Sequence, residues 1–205
     1  LKNNPKGRSF CLSVSFNAAH AVDGDKVNHY PFPPTEAALY EGVAMPRPRL
    51  DGNTFFDRQP EFLKRSMNRD RYFWRWDTPE KYDHNLRNYY RMLSGLDRNI
   101  GRVVRELEAC GLADDTVIIF MGDNGYYMGE RGFAGKWSHY DESLRVPLVV
   151  YDPRAAGSGG VAEDAIALNV DVAPTILGLA GVDAGAAPAM AGAGLSLTSP
   201  ALDGR

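Results

Sequence analysis

The sequence predicts an α/β fold. An amphipathic helical stripe between Thr78 and Gly111 runs into Thr116-Val117-Ile118-Ile119-Phe120-Met121, a continuously apolar, β-branched run. A second such run follows at Val146-Pro147-Leu148-Val149-Val150-Tyr151. Helix followed by a strand apolar on both faces is the pattern of helices packed on a sheet.

Taken in order, Phe10-Cys11-Leu12-Ser13-Val14-Ser15-Phe16 alternates and is rich in strand formers, which predicts a strand with His20 just beyond its end. Residues 29–60 carry prolines at 31, 33, 34, 46, 48 and 60, too dense for regular structure, and read as an excursion over the surface. The whole span 28–77 is Pro-rich at first, then basic and aromatic. Thr78 is placed to cap a helix with Pro79 in its first turn. Leu86, Tyr90, Leu93, Ile100, Val104 and Leu107 recur at steps of three, four or seven, and Gly111 is placed to end the helix. A glycine-rich loop, 122–135, separates the two strand runs. From 154 to 205 the chain is rich in Ala and Gly; Asp171 can cap a short helix from Val172 to Leu179 that ends at Gly181, and the remainder is low in order signals.

Composition excludes several classes. With 44% hydrophobic and 24% charged residues in 205, disorder, collagen and coiled coil are ruled out. No apolar run reaches the roughly 18 to 20 residues of a membrane span, and Leu1-Lys2-Asn3-Asn4-Pro5 does not read as a signal peptide. A net charge of −3 gives no global reason to bind nucleic acid or an anionic membrane. Cys11 and Cys110 form no metal-ligand spacing and read as buried structural thiols.

Chemistry concentrates at Met121-Gly122-Asp123-Asn124-Gly125, directly after the first strand run. Sites in open α/β sheets gather at the carboxyl ends of strands, and an Asp followed by Asn offers two hard oxygen ligands suited to Ca²⁺ or Mg²⁺. The same residues also make an ordinary turn. Lys136, beyond the loop glycines, can offset negative charge developing on an oxygen, or be a solvated surface lysine. His20 at a strand end can bind an anion or protonate a leaving group, or be a capped turn histidine. His139 is a weaker candidate of the same kind, while His29 and His84 read as loop and helix-surface residues. Between 47 and 75, eight cations face four carboxylates, a local balance of +4, with six aromatic residues interleaved and Trp76 directly after. Such a stretch can hold a polyanionic sugar or a single strand of nucleic acid, or it can turn its aromatics inward and solvate its arginines.

Together these residues resemble the sulfatase family of the alkaline-phosphatase-like superfamily. Phe16-Asn17-Ala18-Ala19-His20 resembles the family's "PH" element, with Ala19 in place of the usual proline. Tyr89-Tyr90 through Leu96-Asp97-Arg98-Asn99-Ile100-Gly101 resembles the helix before the metal strand, and Thr116 to Gly125 the strand and its metal loop. Gly129-Glu130-Arg131-Gly132-Phe133-Ala134-Gly135-Lys136 is similar to the "GE.G...K" stretch, Glu142 to Leu148 to "EESLRVPL", and Asp171-Val172-Ala173-Pro174-Thr175 to the late "D.APT" helix.

The resemblance implies an α/β/α sandwich with a mostly parallel mixed sheet. It implies that Asp123 and Asn124 are metal ligands, with Ca²⁺ the expected cation and Mg²⁺ the alternative. Lys136 and His20 would contact the sulfate, and His139 would join them in substrate binding. A formylglycine hydrate, made from a cysteine in a C-x-P-S-R motif, attacks sulfur in this family. Cys11 is followed by Leu-Ser-Val-Ser and Cys110 by Gly-Leu-Ala-Asp, so neither is that cysteine. The expectation is therefore that residues 1–205 are the central and C-terminal part of a sulfatase catalytic domain, inactive alone and weak in metal binding. The parent would act on a sulfated small molecule or glycan, and the family suggests a periplasmic or extracellular setting. The alternatives are a phosphate or phosphonate ester hydrolase of the same superfamily, or a noncatalytic anion- or glycan-binding module. A sheet stripped of its neighbours is also expected to expose apolar surface and to favour a homo-oligomer.

Overall fold

A computed structural model describes residues 2–4, 7–155, 160–182, 194 and 197, in two units, 1–154 and 155–205. In the first unit residues 10–16 are not a strand. Phe10, Leu12, Val14 and Phe16 are 36% to 57% exposed. Alternation directs side chains to one face, but a strand also needs a partner edge, and this segment has none among the described residues. Cys11 in consequence is exposed, and Cys110 half-buried, not the buried thiols expected.

The proline-rich stretch runs mostly exposed, anchored by a few inward side chains. Its His29, Tyr30, Glu36 and Met45 are buried. It is followed by three short helices, α1 (Asn53–Asp57), α2 (Glu61–Lys64) and α3 (Met67–Arg75), and by the long helix α4 (Pro79–Ala109). Proline cannot enter a ladder, so the carbonyls of this stretch need other donors. α4 supplies them: Arg87 Nε donates to Tyr40 O and Arg91 Nε to Leu39 O, each at 3.0 Å. Arg98 pairs with the buried Glu36 at 2.9 Å. Tyr30 then stacks on Trp76 and meets Tyr89 edge-on, inside a core shared with Tyr82, Leu86 and Met92.

α4 starts and stops as its sequence predicts. Thr78 Oγ1 accepts from Lys81 N at 3.2 Å. At the other end Gly111 N donates to Glu108 O and Leu112 N to Leu107 O, both at 2.9 Å, the paired bonds that close a helix C-terminus. Leu86 and Leu107 of the stripe are buried. The basic and aromatic stretch is committed inward in part. Arg75 and Trp76 are buried, and Arg69 lies over the Phe56 ring while donating to Gly132 O at 2.9 Å. Arg47, Arg49, Arg58 and Arg65 stay exposed, as do Phe62 and Phe73, so cationic surface remains on this stretch.

After α4 come β1 (Ile118–Met121), the hairpin of β2 (Tyr127–Met128) and β3 (Ala134–Gly135), the turn α5 (Asp141–Leu144) and β4 (Leu148–Tyr151). β1 and β4 pair antiparallel, with Phe120 opposite Val149 and Met121 opposite Leu148. The α/β class holds, while both ladders among the described residues are antiparallel, so the parallel strands that the resemblance implies are not among them. Nor is either strand buried on both faces: Phe120 is 37% exposed and Val149 55%. A two-stranded ribbon has two open faces, whatever its composition.

In the second unit, α6 (Val172–Leu179) has the predicted bounds. Asp171 does not cap it as expected: its side chain accepts from Leu168 N at 2.8 Å, closing the preceding turn instead. The remainder read as low in order signals lies outside the described residues apart from 182, 194 and 197. No helix among the described residues is long and apolar enough to cross a membrane.

Candidate active site

The ladder continues one residue past β1, where Gly122 N donates to Pro147 O at 3.1 Å. The chain then turns sharply against the segment around α5. Gly125 N donates to Ser143 O at 2.9 Å, and a Cβ on Gly125 would stand 2.3 Å from Glu142 O, a distance no side chain tolerates. This close approach leaves Asp123 and Asn124 at the carboxyl end of β1, where an α/β sheet presents its chemistry. Asn124 N donates to Asp123 Oδ1 at 2.9 Å, and Asn124 Nδ2 to Gly125 O at 2.8 Å. With its amide nitrogen so engaged, the Asn124 side chain turns Oδ1 outward.

The β2–β3 hairpin brings Lys136 to that oxygen. Tyr127 pairs with Gly135, so Lys136 returns beside the strand it left, and its Nζ donates to Asn124 Oδ1 at 3.0 Å. α3 supports this turn from behind. Asn68 Nδ2 donates to Lys136 O at 2.6 Å. Gly135 has φ +96°, and a Cβ there would meet Asn68 Oδ1 at 3.0 Å. Arg71 lies over the Trp137 ring, 4.5 Å from its centroid.

His20 reaches the same helix by another route. Asp23, three residues on, bonds Arg71 at 2.8 Å and also pairs with the fully buried Arg75. Burial alone would push the Asp23 carboxyl up, but hydrogen bonds from Arg71 and Arg75 and their charges outweigh it and hold its pKa below the usual range. His20 itself is exposed, with Nδ1 2.7 Å from Ala21 O. A carbonyl only accepts, so Nδ1 carries a proton and Nε2 is the atom left to meet a ligand. His20 makes no hydrogen bond to Asn124 or Lys136.

His139 stands apart. It stacks on Tyr140 with ring centroids 4.4 Å apart and borders a cavity of about 870 Å³ with Arg47, Glu130, Arg131 and Glu142, which neither His20, Asp123, Asn124 nor Lys136 lines. Burial first, then neighbouring Glu142 and Asp51, raises the Glu130 pKa against the bond it accepts from Met128 N. Of the other two histidines, His84 is exposed as expected, but His29 is buried, and that burial lowers its pKa.

Asp123 and Asn124 contribute a carboxylate and an amide oxygen, a donor pair that fits a hard divalent cation. An amide oxygen has two lone pairs, so Asn124 Oδ1 can keep Lys136 and still ligate. Among the described residues no group of three or more His, Cys, Asp or Glu side chains completes such a site. The residues that sequence reasoning missed are Asn68, Asp23 and Trp137. Asn68 carries no local signal, Asp23 looks like part of a turn with Gly24, and only adjacency to Lys136 marks Trp137.

A family model described as Sulfatase matches residues 1–182. An N-acetylglucosamine-6-O-sulfatase of Bacteroides thetaiotaomicron is 40% identical over 103 residues, 50% of this chain and 18% of that protein. A choline-sulfatase of Rhizobium meliloti is 29% identical over 176 residues, 85% of this chain and 32% of its own. Among solved structures, a phosphonate monoester hydrolase from Silicibacter pomeroyi aligns with 84% of this chain and 34% of its own at a TM-score of 0.67 and 27% identity. A protein solved with its substrate D-glucosamine-2-N,6-O-disulfate aligns with 83% and 47% at 0.59 and 22%, a likeness of fold. The chain thus spans about a fifth to a third of these curated relatives. With the family matched over nearly all of its length, and the lysine, aspartate and asparagine of the resemblance gathered at the end of β1, the chain belongs to the sulfatase family.

Proposed function

We propose that this chain carries the metal and sulfate half of a sulfuric ester hydrolase, and that its parent cleaves the sulfate ester of a small molecule or glycan outside the cytoplasm. The observation that carries this reading is the 3.0 Å bond from Lys136 Nζ to Asn124 Oδ1, an ammonium on a hard oxygen donor whose chain neighbour is Asp123. Asp123 and Asn124 would hold the cation, Ca²⁺ or else Mg²⁺. When bound, such a cation neutralises charge on sulfate oxygens and polarises the S–O bonds.

Lys136 Nζ keeps two N–H groups for the sulfate, and charge that develops on the ester oxygens in the transition state meets a donor already in place. The hydrogen bond of Asn68 to Lys136 O fixes where that ammonium starts from. His20, when protonated on both ring nitrogens, would deliver its Nε2 proton to the leaving oxygen and keep its Nδ1 proton on Ala21 O. His139 would reach only a more distant part of a substrate. The nucleophile would be a formylglycine outside residues 1–205, because neither cysteine here lies in its motif; the chain alone is then inactive.

A second reading, a phosphonate or phosphate ester hydrolase, is favoured by the likeness to the phosphonate monoester hydrolase. Side-by-side turnover of 4-nitrophenyl sulfate and a phosphonate monoester by the parent protein, with and without chelator, separates them. The sulfatase reading expects preference for the sulfate and loss of rate on chelation. Preference for the phosphonate would replace it with the second reading.

A further inference from the structure

Trp137 directly follows Lys136, yet it is 64% exposed, the least buried of the large aromatics but for Phe62. Its backbone is left-handed, φ +71°, a conformation that costs a bulky residue energy and persists only where its surroundings impose it. Here they do. Asn68 holds the Lys136 carbonyl at 2.6 Å, Gly135 is pressed on the same side chain, and Arg71, itself anchored by Asp23, lies over the Trp137 ring. One ring face is therefore occupied, and the exposure belongs to the rest of the indole.

We propose that Trp137 is the platform on which the sugar ring of a sulfated saccharide lies while its sulfate is held at Lys136. This deepens the sulfate-ester reading and rests on it for the anion. An indole face offers a large, rigid apolar surface with a negative quadrupole, which suits the C–H face of a pyranose. Fixed by Arg71 before binding, it loses little freedom when the ligand arrives. A quaternary ammonium would also favour an aromatic face, but here Arg71 lies over the ring, the preceding residue is Lys136, and Asp23 supplies one carboxylate for Arg71 and Arg75 together. That positive setting opposes a cationic alcohol portion and leaves the neutral sugar as the fitting one.

The test uses the 205-residue chain, with the Trp137 indole N–H and the Lys136 side chain followed by NMR during titration with inorganic sulfate, glucose 6-sulfate, choline sulfate and methyl β-D-glucoside. Glucose 6-sulfate is expected to move both groups. Trp137→Ala is expected to weaken it about tenfold, with inorganic sulfate changed less than about twofold, and Trp137→Phe to restore most of the loss. Equal losses for both ligands, no loss for either, or choline sulfate binding as well as the sugar ester would overturn the platform. If inorganic sulfate leaves Lys136 unmoved while both sugars still shift the indole, the platform stands and the sulfate reading falls. An indole that no probe moves would refute the platform.

Discussion

Asn68 Nδ2 on α3 donates to the main-chain oxygen of Lys136 at 2.6 Å, so a helix that touches no reacting group positions the lysine at the end of β1. Asn68 is 3% exposed. Asn68→Ala leaves that carbonyl without its donor in a buried setting, and the expected cost is about 1 to 3 kcal/mol in a urea denaturation series. An unchanged midpoint would show that the bond is dispensable.

Gly125 is the second fixed point. Its alanine variant must place a methyl group against Glu142 O, and because backbone, not a flexible side chain, blocks the way, the loop itself has to move. We expect Gly125→Ala to destabilise the first unit by about 3 kcal/mol, and to shift the Asn124 and Lys136 resonances together.

Asp23 gives stability a pH dependence. Its folded pKa lies below its ordinary 3.8, so its contribution is fully present above about 3.8 and lost as pH falls through the lowered value. Asp23→Asn is therefore expected to be less stable at neutral pH by an amount that shrinks in acid. Urea midpoints of both proteins from pH 2 to 7 measure this; a gap that widens in acid would contradict it.

The β1–β4 ribbon predicts association. Phe120, Val149 and Tyr151 on one face and Val150 on the other are 37% to 55% exposed, apolar surface that favours self-association in water. Light scattering is expected to give a mass that rises with concentration, and Val149→Thr with Val150→Thr to lower it. A strict monomer at all concentrations would rule the ribbon out as a contact.

What the sequence made legible were features written in adjacent residues. The limits of α4 followed from Thr78, Pro79 and Gly111, and the position of Asp123 and Asn124 at the end of β1 from their place after a β-branched run. The resemblance implied that Lys136 and Asn124 serve one site; the hydrogen bond between them came only with the structure. What stayed hidden depends on partners distant along the chain. Phe10 to Phe16 has the alternation of a strand and no edge to join. The proline-rich stretch is pinned to α4 because Arg87 and Arg91 bond its carbonyls, and His29 and Tyr30 go inside while most of its residues stay exposed. Arg71 and Arg75 read as solvated cations until Asp23, about fifty residues earlier, is placed against them.

The central claim is that Lys136, beside Asn124, serves a sulfate ester. Steady-state hydrolysis of 4-nitrophenyl sulfate by the parent protein and its Lys136→Ala variant tests it most directly. The account predicts a fall in kcat of about 10²- to 10³-fold, as when a preplaced donor to a developing negative charge is removed. A variant that turns over as fast as the unaltered protein would contradict it.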